Sequence, residues 1–335
     1  MLLALACGGP AGLDAQRAVV SGTVSVGRGA KGGGEEGGSR PWAGGWAVLH
    51  QVTMTTAGPV DSARTDASGR YRLRVPQLDT TAQYLVSAMY MGVAYFSEPL
   101  RIRAPGTTRA TPIVVYDTVS SSTGPPIHLR RRLVTIARQQ RDGTHSVLEI
   151  LELANPGTRT RIAADTLRPV WAVALPAGVL QFRVGEGDFS AEAVERRGDL
   201  VAVFGPVAPG NLRQLSYNYV LPAGQTTLAL PVDQPTDEVD LLLEDTTARV
   251  VSLGLERLGV EPIEQRRFAR YRAGPLAAGA QVTVELPRPG IQLQRQWWII
   301  VTLAGAAMLW ALLVALKRKP SAVSYQPSAN AVTDG

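Results

Sequence analysis

Three histidines, one cysteine and a few adjacent carboxylates are the residues from which this 335-residue chain would have to build hydrolytic or metal chemistry. His50, His128 and His145 stand at no metal-ligand spacing of the H-E-x-x-H kind, where one helical turn brings two imidazoles to the same ion. His145 and Glu149 are four apart on a segment that reads as a strand, so they share a face without converging, and the pair reads as structural. A single cysteine, Cys7, excludes an intrachain disulfide and a cysteine-based zinc site. No G-x-S-x-G nucleophile motif occurs, and the pairs Glu35-Glu36 and Asp237-Glu238 are expected in loops, beside glycine or proline, as solvated charge. No catalytic residue, cofactor site or metal site is expected.

Phosphate chemistry has two candidates. Gly27, Gly29 and Gly32 match G-x-G-x-x-G after a strand, but more glycine and another strand follow where a dinucleotide site needs a helix N-terminus. Lys31 is followed by glycine rather than Ser or Thr, which removes a Walker-type loop. The second candidate is arginine. Of 34 basic residues only Lys31, Lys317 and Lys319 are lysine, and the formal net charge is +6. Arg130, Arg131 and Arg132, and the run Arg266, Arg267, Arg270 and Arg272 around Phe268 and Tyr271, have the interleaving that grips phosphates and stacks bases. No nucleic-acid fold motif accompanies them, so no nucleic-acid partner is expected, and the arginines read as the charged faces of strands.

The ends of the chain give the partner that is expected, a lipid bilayer. Residues 297–316 (WWIIVTLAGAAMLWALLVAL) are uncharged, and at about 1.5 Å per residue they span roughly 30 Å of hydrocarbon. Trp297 and Trp298 suit one headgroup boundary, and Lys317, Arg318 and Lys319 suit a cytoplasmic flank at the other. Ala307, Ala311 and Ala315 form a small-residue ridge suited to helix–helix pairing. Residues 1–15 read as a shortened signal peptide ending at Ala15, with Gln16 beginning the mature chain. A lipoprotein reading of Cys7 and a tail-anchored cytoplasmic topology are the rivals. The expected placement is the cytoplasmic membrane, single-pass, with the body extracytoplasmic and a cytoplasmic tail at 317–335.

Between these ends the pattern is all-β. Residues 19–26 alternate like a strand, the glycine-rich run up to Gly45 reads as a loop, and strands follow at 45–53, 60–65, 70–75, 84–90 and 93–97. Asp66-Ala67-Ser68-Gly69 and Met91-Gly92 supply the turns. Gly22 and Val24, then Pro41, Gly44 and Val48, then T-D-x-x-G-x-Y-x-L at Thr65, Asp66, Gly69, Tyr71 and Leu73, and Tyr84 beyond, resemble a carboxypeptidase regulatory-like domain. The resemblance covers under a third of the chain. It implies a prealbumin-like β-sandwich, a non-catalytic module that recurs in bacterial envelope proteins, without the zinc-binding domain of the carboxypeptidases themselves.

A Ser/Thr/Gly/Pro linker at 120–126 leads to a second β region: a hairpin of 127–139 and 145–154 turning at Arg141-Asp142-Gly143, then strands at 170–175, 179–184, 200–204, 215–221, 227–231, 239–243, 267–271 and 281–286. The expected architecture is therefore two or three β-sandwich domains followed by one C-terminal transmembrane helix. Its segments are a leader at 1–15, a regulatory-like sandwich at 16–119, a linker at 120–126, a second β-rich domain at 127–290, the span at 297–316 and the tail. The function expected is a binding or assembly module of the cell envelope, with another envelope protein or a glycan as partner. The alternatives are an accessory subunit of an envelope maturation or transport complex, and a glycan-active envelope enzyme.

Overall fold

The computed structural model describes residues 18–28, 38–124, 126–252 and 254–287. The chain divides into two compact units, Met1–Pro287 and Arg288–Gly335, and every described residue lies in the first. That unit is all-β. Among the described residues there is no α-helix, and a single 3-10 turn at Ala191–Ala193 is the only helical piece.

The N-terminal part is built from β1 (Ala18–Gly27), β2 (Ser39–Pro41), β3 (Trp46–Val52), β4 (Ala57–Arg64), β5 (Arg70–Val75), β6 (Gln83–Tyr90), β7 (Val93–Phe96), β8 (Gly106–Arg109) and β9 (Ile113–Val115). Strict alternation in β1 sends Ala18, Val20, Val24 and Val26 inward, and the same period in β5 sends Tyr71, Leu73 and Val75 to meet them. Strand β1 is central. It pairs antiparallel with β5 and β2, and parallel with β8 and β9. A second sheet, β4-β3-β6-β7, is wholly antiparallel. Leu49, Tyr84 and Val86 of the second sheet share one core with Val20 and Leu73 of the first, the arrangement of a β-sandwich.

The remainder comprises β10 (Thr118–Ser120), β11 (His128–Ile136), β12 (His145–Ala154), β13 (Thr160–Ile162), β14 (Trp171–Ala174), β15 (Leu180–Val184), β16 (Val194–Arg197), β17 (Leu200–Val203), β18 (Arg213–Leu221), β19 (Thr227–Val232), β20 (Thr236–Leu243), β21 (Arg249–Val250), β22 (Glu256–Ile263), β23 (Arg266–Ala273) and β24 (Ala280–Glu285). Seven of these form one sheet in the order β15-β18-β12-β11-β20-β23-β22. Two three-stranded sheets, β14-β17-β16 and β19-β24-β21, contribute to the same core. Leu151, Leu215 and Tyr217 from the large sheet, Val173, Val201 and Val203 from the first small one, and Leu228, Leu230, Val282 and Val284 from the second form one cluster. The edge strand β22 is interrupted by a bulge at Gly259, whose φ is +135°, and carries Pro262, which has no N–H to donate. Both features discourage pairing with another chain.

Strand β20 begins at Thr236, three residues before the expected start, so Asp237 and Glu238 lie in a sheet and not in a loop. Residues 120–124 of the expected linker are held by specific contacts. Thr118–Ser120 pair parallel with Thr160–Ile162, and the Arg161 guanidinium donates to the carbonyls of Ser121 and Gly124. The Tyr95 hydroxyl shares a hydrogen bond of 2.7 Å with that of Thr160, so the two cores are joined through buried polar contacts as well as by the chain.

Among the described residues no helix is long and apolar enough to cross a membrane. The expected span at 297–316, with Trp297, Trp298, Ala307, Ala311 and Ala315, its flank Lys317, Arg318 and Lys319, and the leader at 1–15 lie outside the described residues.

Candidate functional site

Strand β12 places Val147, Glu149, Leu151 and Leu153 on its inward face, so a carboxylate sits in register with core aliphatics. Glu149 is completely buried. Its partners come from the two flanking strands: Arg132 Nε of β11 donates at 2.8 Å, and the hydroxyls of Tyr217 and Tyr219 on β18 donate at 3.0 and 2.8 Å. Arg132 also donates to the Pro231 carbonyl at 2.7 Å, while its second terminal nitrogen has no partner. Burial works against the charge of Arg132, yet Glu149 and the two tyrosines outweigh it and the guanidinium pKa is raised. Burial first, and the Glu149 charge second, push both tyrosine hydroxyls well above their ordinary range. The group is a closed polar core, and every acceptor position of the carboxylate that faces a donor is taken. His145, also inward and buried on β12, uses Nδ1 on the Ala137 carbonyl at 3.1 Å, and its Nε2 is buried without a partner.

The opposite face of the same sheet carries the arginine clusters. Register puts Arg131 beside Glu238, and Asp240 beside Arg272. Asp240, only 1% exposed, accepts from Arg131 at 2.5 Å and Arg272 at 2.9 Å, with Arg270 at 3.4 Å. Glu261 meets Arg270 from the edge strand, and Asp237 meets Arg130. Burial raises the Asp240 pKa, but hydrogen bonds from Arg272 and Arg131, reinforced by their charges, hold it down at about 2. Arg130, Arg131, Arg270 and Arg272 of the basic runs are thus paired with acidic residues of β20 and β22, and Arg132 with Glu149, so these five are not arrayed for phosphate. The Asp237-Glu238 pair supplies some of those partners.

Two open sheet faces carry further polar groups. The outer face of the large sheet has a shallow depression of about 480 Å³ lined by Thr135, Leu148, Gln181, Arg183, Asn218 and Arg266. None of its lining residues among those described is Asp or Glu. The outer face of β5-β1-β8 forms an open trough of about 680 Å³ between Arg70, Arg72 and Arg109. On the other side of that sandwich, Trp46, Met89 and Phe96 are each at least half exposed. His50 on this apolar face bonds the Ser87 hydroxyl at 2.8 Å.

The turn singled out in the sequence is an Asx-type cap. One Asp66 carboxylate oxygen accepts from the backbone N–H of Ser68 at 2.8 Å and of Arg70 at 2.9 Å, and these bonds, the Arg70 one first, hold its pKa below the usual carboxylate range. Gly69 has φ +74°, and a Cβ there would lie 2.3 Å from the Val24 carbonyl oxygen, so only glycine fits. The Thr65 hydroxyl donates to the Trp42 carbonyl and accepts from the Gly45 N–H, closing the neighbouring loop. Tyr71 and Leu73 are buried, the Tyr71 hydroxyl lying against Gly22 without a partner, and burial pushes its pKa up to about 12. Among the described residues no group of three or more His, Cys, Asp or Glu side chains is placed to hold a metal ion.

No protein-family model and no curated protein matches the sequence. Among solved structures, the major plantain pollen allergen Pla l 1 is similar over 30% of this chain and 93% of its own, at 16% identity and a TM-score of 0.24. An M1 zinc metallopeptidase from Deinococcus radiodurans is similar over 48% of this chain and 42% of its own, at 12% identity and a TM-score of 0.31. Leukotriene A4 hydrolase from Saccharomyces cerevisiae is similar over 48% of this chain and 29% of its own, at 8% identity and a TM-score of 0.30. The chain therefore spans less than half the length of either the metallopeptidase or the hydrolase. Likenesses this weak carry no inference about activity.

Proposed function

We propose that this chain is a membrane-anchored, non-catalytic envelope protein whose extracytoplasmic β body acts as a binding or assembly module. In this reading 16–119 is a carboxypeptidase regulatory-like sandwich, 127–290 a second β-rich domain and 297–316 the anchor. The supporting observation is how the charged groups are used. Glu149 and Asp240, the two most deeply buried carboxylates among the described residues, are closed off by arginine and tyrosine partners, while Arg70, Arg72 and Arg109, which have no ion-pair partner among the described residues, lie on an exposed sheet face. Catalysis by a carboxyl group asks for the opposite, an acid or base within reach of substrate. Support for the regulatory-like reading comes from the Asp66–Gly69 cap, which returns Tyr71 and Leu73 to the core.

The topology is tested by adding protease to spheroplasts that carry a C-terminal tag on this chain. Loss of the body with retention of a short tagged fragment is the expected result, and a body protected until the membrane is dissolved would reject the reading. The exposed Trp46, Met89 and Phe96 favour a second reading, an accessory subunit of an envelope complex, because aromatic and methionine side chains are enriched at protein interfaces. Purification through the tail tag in mild detergent separates the two, since a chain recovered alone argues against a stable complex.

A further inference from the structure

Two sets of arginines are treated differently by this fold. Arg130 and Arg131 of β11 and Arg270 and Arg272 of β23 are matched to carboxylates, as the ion pairs to Asp237, Glu238, Asp240 and Glu261 record. Those of β5 and β8 are not: among the described residues Arg70, Arg72 and Arg109 are exposed and have no ion-pair partner. Register places them. Ser21 of β1 is paired with Arg72 on one side and Arg109 on the other, and Thr23 with Arg70. Neighbouring strands lie about 4.8 Å apart and alternate residues about 6.8 Å apart, so the guanidinium stems form a lattice with hydroxyls between them. Arg64 closes the rim, its guanidinium 4.9 Å above the Trp46 ring. The rim's one carboxylate, Asp66, is already committed to its own turn.

We infer that this trough binds an extended polyanionic glycan, a carbohydrate chain bearing carboxylate groups, lying across β5, β1 and β8. The inference rests on the reading of the chain as a binding module and supplies its ligand class. Planar guanidinium forks match carboxylates with two parallel hydrogen bonds, and Ser21, Thr23 and Thr107 add hydroxyls that suit sugar hydroxyls. The surroundings argue against other polyanions. A base-stacking surface needs free aromatic faces among the cations, whereas Tyr71, between Arg70 and Arg72, points into the core and the Trp46 ring beside the rim is already faced by the Arg64 guanidinium. A bilayer-docking face gains from large apolar side chains that enter the headgroup region. In this sandwich Trp46, Met89 and Phe96 belong to the other sheet.

The test is a titration of the full chain, purified in non-ionic detergent, with fluorescently labelled polygalacturonate. Because the purified chain is used, the result is independent of which side of a membrane the body occupies, and failure here leaves the protease-protection result standing. Expected are binding that weakens with salt, no competition by dextran, and a loss of about tenfold or more in the Arg72→Ala/Arg109→Ala variant. The charge-matched Arg141→Ala/Arg159→Ala variant should bind like the parent. Ser21→Asp, which places a negative charge between the two arginines, should abolish binding and serves if the double variant melts early. Absence of binding, equal loss in the two double variants, competition by dextran, or equally tight capture of phosphatidylglycerol vesicles or single-stranded DNA through Arg72 and Arg109 would each overturn the inference.

Discussion

Replacing Arg132 with Met leaves Glu149 buried, with two tyrosine donors and no cation. Replacing Glu149 with Gln does the converse, leaving a buried guanidinium bonded to the Pro231 carbonyl with no anion to balance its charge. Breaking one half of a buried ion pair costs about 3–5 kcal/mol, because the survivor keeps its desolvation penalty and loses its compensation. The structure places both side chains in that regime, with Arg132 2% exposed and Glu149 fully buried. In the double variant Arg132→Met/Glu149→Gln no charge remains, Met fills the volume of the arginine stem, and the Gln carbonyl still accepts from a tyrosine. The double variant should therefore be no less stable than either single one, which corresponds to a coupling energy of about 3 kcal/mol. Urea unfolding followed by far-ultraviolet circular dichroism at neutral pH measures all four corners of the cycle. Single-variant losses that simply add in the double variant would refute the account of this group as one closed ionic unit.

Two further outcomes follow from the geometry. The folded-state pKa of Asp240, about 2, lies below its ordinary 3.8, so its carboxylate stabilises the fold at all pH above about 4, and that contribution disappears as pH falls through 2. At 1.4 kcal/mol per unit the shift amounts to about 2 kcal/mol, and Asp240→Asn should lose this at pH 7 while flattening the loss of stability between pH 4 and 2, as urea midpoints across that range would report. Gly69→Ala forces both a left-handed backbone and a clash with the Val24 carbonyl; a loss of about 2–3 kcal/mol in thermal unfolding is expected, and a neutral result would mean the turn relaxes elsewhere.

The sequence makes the strands with local alternation plain. Residues 70–75 and 145–154 are read to the residue, because charged and apolar side chains alternate over their whole lengths. What escapes is non-local. Strands β8 and β9 lie just after Pro105 and Pro112 in segments too short to show a period, and they exist because β1 offers a parallel edge. Strand β22 carries Gly259 and Pro262 and looks like a loop until β23 is beside it. The same holds for the charges. Arg131 and Asp240 are 109 residues apart, so the sequence shows a cationic run where the fold has an ion-pair lattice. Parity did hold a signal for the buried group: Glu149 falls between Val147 and Leu151, and Arg132 precedes Val134 and Ile136 at the same spacing, each at an inward position where an unpaired charge could not stay.

The clamp at Arg161 has a mechanical consequence. Two modules joined by a Ser/Gly/Pro segment ordinarily swivel, and a pull on one is absorbed by uncoiling the joint. Here the joint is already stitched down, by the guanidinium bonds to Ser121 and Gly124, by the parallel rungs between Thr118–Ser120 and Thr160–Ile162, and by the Tyr95–Thr160 contact. Tension applied between the first strand and residue 287 cannot lengthen the segment until those bonds give way. The two parts respond to load as one stiff strut, passing force along the chain with little slack.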